Sequence, residues 1–196
     1  MSDNVKLLCP RGKTYYGGQA TPPATITKIK NLLGQTGRFK DTDPVAANRA
    51  NSSSAVLTGM WCYAIFVKNT TGATLTPGLP VKWKAGAIGS EIAVVTTDKD
   101  PLAGIVDDHL PIGSGCPADD CCWVFFKGPQ LCDGDAGLTA GQTVYVNETS
   151  SVIQVEDLAA GDDTADIKAM VGVTLEALDA TATNKVRVLL DIRTGY

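Results

Sequence analysis

Two stretches of the chain are near copies of one another, and each is followed by the same succession of segments. Residues 75–83 read LTPGLPVKW and residues 138–146 read LTAGQTVYV; both fit Leu-Thr-x-Gly-x-x-Val-x-apolar. The first is followed by AVVTTD, by LAGIVDDHL at 102–110 and by CCWVFFKGP at 121–129. The second is followed by VIQVED, by MVGVTLEAL at 170–178 and by KVRVLLDIR at 185–193. In each copy, Gly78 or Gly141 suits a reversing turn, because glycine enters backbone conformations that other residues avoid. The Val-x-apolar pair then enters a strand with one buried face. Gly104 and Gly172, each inside a later apolar run, mark a bulge or a tight bend. A single copy would be a small meander with an uncovered face; two copies can pack or close on each other and remove that exposure.

The rest of the chain from residue 55 supports this reading. AVLTGMWCYAIFVKN, SEIAVVTT, QTVYVNE and their like are short runs rich in aromatic and β-branched residues, separated by Gly, Pro, Asp and Asn. With 44% apolar and 19% charged residues, 20 glycines and 10 prolines, the composition suits short strands and frequent turns around a real core. The expected fold is all-β: a small barrel or sandwich over residues 55–196, with repeats at about 70–130 and 133–193.

Residues 1–54 read differently, as an extended N-terminal arm carrying one short helix. Ile26, Ile29 and Leu33 fall on one helical face, Thr25 is placed to cap it and Gly34 to end it. This segment holds eight basic residues against three acidic ones, whereas the remainder is net negative. A basic arm outside the repeat is expected to pack little against its own β-domain and to dock on a neighbour, the alternative being that it covers an open edge or end of its own barrel. Ile26, Ile29 and Leu33 would be its apolar anchors, and Lys28, Lys30, Arg38 and Lys40 would meet acidic groups. On that expectation, a chain lacking residues 1–50 keeps its thermal midpoint and loses binding.

The run from LTPGLPVKW through LAGIVDD, WVFFKGP and LTAGQTVYV to KVRVLLDI resembles the capsid decoration, or cement, proteins of tailed bacteriophages. The resemblance covers about residues 70–193 and rests on turn and strand patterns. It implies a non-enzymatic virion protein, made in the host cytoplasm. Such a protein binds the outer surface of the head at junctions between major capsid subunits and stiffens the shell. It also implies a homo-oligomer whose N-terminal arm reaches a neighbouring subunit. The Cys-rich loop 116–122 departs from the family pattern.

Other chemistries find little support. The sequence pI of about 4.9 gives no general attraction to nucleic acid, and no apolar run is long enough for a membrane helix. His109 is the single histidine, and no nucleophile motif accompanies it. His109, Cys116, Cys121, Cys122 and Cys132 lie close in sequence, but without a Cys-x2-Cys pair; the six cysteines read as reduced thiols, with a local bridge among the last four as the alternative, and no metal or cofactor is expected. If Cys121 and Cys122 lie on a strand, they point to opposite faces, and at most one should face the core. DGDAG at 133–137 reads as a turn rather than a calcium loop. Trp83, Trp123 and Phe125 are expected in the core. The alternative function is a surface β-module that binds a ligand such as a glycan, which an exposed Trp or Tyr on a concave face would favour.

Overall fold

The punctuated apolar runs become strands in the computed structural model, which describes residues 11–15, 32–41, 59–96, 100–111, 115–146, 152–155, 170–178 and 185–192. The strands are β1 (Thr36–Lys40), β2 (Trp61–Asn69), β3 (Pro80–Trp83), β4 (Glu91–Val94) and β5 (Leu102–Val106). They continue as β6 (Cys121–Asp133), β7 (Thr143–Val146), β8 (Ile153–Val155), β9 (Met170–Thr174) and β10 (Lys185–Asp191). All ten belong to one mixed sheet, in the order β1-β2-β4-β3-β5-β6-β10-β9-β7-β8. The fold is all-β.

An extra pairing of β2 with β6 closes β2-β4-β3-β5-β6 into a ring. Only β2 and β4 run parallel in it. Beyond Gly128, β6 continues into a second ring, in which its C-terminal half pairs with β10, β10 with β9, β9 with β7 and β7 with β8. A parallel bridge between Gly134 and Ile153 completes this ring, where Asn69 and Ile92 meet in the first. The long β6 therefore closes one unit and opens the next.

The registers of the two units coincide. Val81 sits opposite Gly104 and Val144 opposite Gly172, each with a register shift one residue later. Gly78 donates its N–H to Val106 O at 3.0 Å, and Gly141 donates to Thr174 O at 2.8 Å. Gly104 and Gly172 have φ of 149° and 159°. A Cβ on either would collide with a carbonyl of the next strand, Phe125 O or Leu189 O, so the bulge needs glycine at both places.

Two apolar clusters fill the structure. One lies inside the first ring, with Ile65, Val81, Trp83, Ile92, Val106 and Val124. The other joins the interior of the second ring (Val144, Ile153, Val171, Val186, Val188) to the outer face of the first (Phe66, Leu102, Ile105, Trp123, Phe125). Trp83 is 3% exposed, and Trp123 and Phe125 are fully buried. β6 is consequently covered on both sides. Cys121 and Cys122 point into different clusters and both are buried, which corrects the expectation that at most one would face a core.

The described part of the N-terminal segment is built into this domain, contrary to the expectation of an arm with few contacts to its own sheet. β1 pairs antiparallel with β2, from Thr36 opposite Ile65 to Lys40 opposite Trp61. Phe39 packs edge-on against Trp123 at 5.0 Å between centroids. Gly37 lies where a Cβ would stand 2.9 Å from the Trp123 ring. Tyr15 bridges to Cys121 through two backbone hydrogen bonds of 2.9 and 2.7 Å and stacks edge-on against Phe66. The apolar outer face of the first ring would otherwise be bare; these residues cover it. The helix expected around Ile26 and Ile29 lies outside the described residues.

Candidate functional site

The single histidine stands in a buried charge cluster at the end of β5. Asp107, Asp108 and His109 place potential ligand atoms within 4.8 Å of one another. A guanidinium occupies the centre: Arg11 Nε donates to Asp107 Oδ1 at 2.8 Å, and its Nη2 donates to Asp108 Oδ1 and to Gln130 Oε1. The remaining carboxylate oxygens are also engaged. Gly12 N–H donates to Asp107 Oδ2 at 2.7 Å, Leu131 N–H to Asp108 Oδ2 at 3.1 Å, and His109 Nδ1 meets Asp108 Oδ1 at 2.7 Å. Burial alone would raise the Asp108 carboxyl, but Arg11, His109 and the Leu131 N–H together hold it below the ordinary range. Arg11 also lies over the Phe125 ring at 4.4 Å. A cation is thus already supplied by the chain, and the cluster acts as a cross-link between residues 11–12, the β5–β6 connection and β6.

The thiols are placed for packing rather than for chemistry. Cys62, Cys116, Cys121, Cys122 and Cys132 are all buried. Among the described residues, no group of three convergent potential metal ligands includes a cysteine. Cys62 lies near Arg11, yet burial pushes its thiol up to about 11, the reverse of an activated nucleophile. Cys122 is raised by its hydrogen bond to Cys116 and by burial, and Cys132 by burial. In the Asp133–Gly137 turn, Asp133 pairs with Lys185 at 2.5 Å and Asp135 Oδ1 accepts from Ala136 N–H.

Of the residues expected to contact a partner, Ile26, Lys28, Ile29 and Lys30 lie outside the described residues. Leu33 is half-buried against the core. Arg38 and Lys40 are exposed on β1, on either side of Phe39, and both approach Trp61: the Arg38 guanidinium lies 4.2 Å from the ring centroid and Lys40 Nζ 5.6 Å. Trp61 itself is 40% exposed. It lines an open groove of about 540 Å³ with Met60, Tyr63, Lys127, Leu189 and Asp191. The sequence reading expected Trp83 and Trp123 in the core and did not single out Trp61; its signal was position, at the first residue of a strand that starts beside the basic segment.

No known protein-family model matches the chain, and no curated protein is significantly similar to it.

Proposed function

We propose that the protein is a structural virion component that binds the outer surface of a phage head at junctions between major capsid subunits and stabilises the shell, acting as a homo-oligomer. The observation that carries this reading is the doubled unit, whose turn, bulge and closing-strand sequences resemble those of cement proteins and recur here in one register. The Asp107 and Asp108 carboxylates and His109 are engaged with one another and with Arg11, and the described thiols are buried, which favours a binding role over catalysis. The test is to mix the purified protein with capsids that lack it and to sediment the particles. Saturable binding at a fixed number of copies per capsid subunit is expected; absence of binding would overturn the proposal.

A second reading, a glycan-binding module, has one observation in its favour: the Trp61 indole is exposed in a groove that also holds Tyr63 and Asp191. Against it, Arg38 already stacks on that ring. Trp61 is the exposed one of the three tryptophans, so its fluorescence reports sugar stacking directly; saturable quenching by oligosaccharides would favour this second reading.

A further inference from the structure

The two units differ in what covers their outer faces. In the first, Leu102 is 4% exposed, and Ile105 and Phe125 are fully buried, in the cluster against which Tyr15, Leu33 and Phe39 of the N-terminal segment pack. The register makes Met170, Val173 and Leu189 their counterparts in the second unit: Lys82 pairs with Leu102 as Tyr145 does with Met170, and Ile105 pairs with Phe125 as Val173 does with Leu189. Met170 and Val173 are 40% and 39% exposed, and Leu189 is half-buried. Leu189 also lines the groove beside Trp61, so this bare face runs on into the exposed indole.

Among the described residues, the charge around the groove is mainly basic. Arg38, Lys40 and Lys127 are exposed beside it, and Asp191, 4.0 Å from Lys127, is the one carboxylate among the described residues that lines the groove. Two copies of such a cationic surface repel one another, whereas an acidic partner is attracted.

We infer that the outer face of β9 and β10, with Trp61, is the surface by which the protein docks, and that its occupant is an acidic patch of the capsid subunit carrying an exposed apolar side chain. This rests on the capsid-binding reading above. The apolar side chain would cover Val173 and Leu189 as the N-terminal segment covers their counterparts, and the acidic groups would meet Arg38, Lys40 and Lys127.

The test compares variants of the full chain for binding to capsids lacking the protein, after their thermal midpoints have been measured. Val173→Lys and the exposed double change Lys40→Glu/Lys127→Glu address the apolar and the charged parts separately. Ile88→Lys, at a 61% exposed position in the first unit, is the control. Each face variant is expected to bind at least tenfold more weakly, the control unchanged. If the wild type binds and the face variants bind equally well, the docking surface is wrong while the capsid reading stands. If the wild type fails to bind, both fall.

Discussion

Buried charge decides the most at the level of single residues. Arg187 and Asp41 are paired with both side chains 1% exposed, joining β10 to the residue that follows β1. Burial and the charge of Arg11 push Arg187 down to about 10, so it remains charged at neutral pH and requires its partner. Asp41→Ala is expected to cost about 3–5 kcal/mol in chemical denaturation, because it strands a buried cation. The buried thiols set the alkaline limit. Their folded values are raised, Cys62 to about 11 and Cys122 and Cys132 well above normal, while unfolded thiols ionise near about 8.5. The stability they contribute is therefore complete below about pH 8.5 and is lost as pH rises toward the folded values, by about 1.4 kcal/mol per pH unit per thiol. Denaturation midpoints measured from pH 7 to 10 should hold to about pH 8.5 and fall beyond it; a profile flat throughout would show these thiols to be accessible. Asp108 acts at the other end: its folded value is depressed, so its contribution is present above about pH 3.9 and is lost as pH falls through the folded value.

Glycines and paired registers govern the strands. Gly104→Ala and Gly172→Ala each force a Cβ against the facing carbonyl at a positive φ. Both substitutions are expected to destabilise by about 2 kcal/mol or more, and by similar amounts, because the two bulges are equivalent. Thermal midpoints of the two variants check this. These bulges were legible in the sequence because glycine weakens a strand interior and recurs there chiefly where the strand bulges or bends. The strands β2–β5 and β7–β10 follow from alternation and turn residues. The continuity of β6 through Gly128 and Pro129 was not legible, since that pair ordinarily breaks a strand; Pro129 faces Leu189 across the β6–β10 pair. β1 was missed for another reason. TGRFK has a single large apolar side chain, Phe39, which is only half-buried, and its strand character comes from pairing with β2 and from the Trp123 ring. Long-range contacts of this kind leave no local pattern.

The N-terminal segment and the bare face decide how the whole molecule behaves. Because β1, Tyr15 and Arg11 are integral to the first unit, deleting residues 1–50 should lower the thermal midpoint sharply or abolish folding, the opposite of a detachable arm. Circular dichroism of the truncated chain measures this, and an unchanged midpoint would contradict it. The sequence showed the doubled unit, but not the unequal covering of its two copies, which depends on where residues 11–15 and 32–41 cross the sheet. That asymmetry, apolar and cationic on one face, supports the reading of a protein that clamps acidic subunits together from outside. A cryo-EM reconstruction of phage heads saturated with the protein tests that account most directly. The account expects ordered density at capsid-subunit junctions, with Trp61, Val173 and Leu189 turned toward the shell. Density touching the shell only through the first unit, or no ordered density at all, would contradict it.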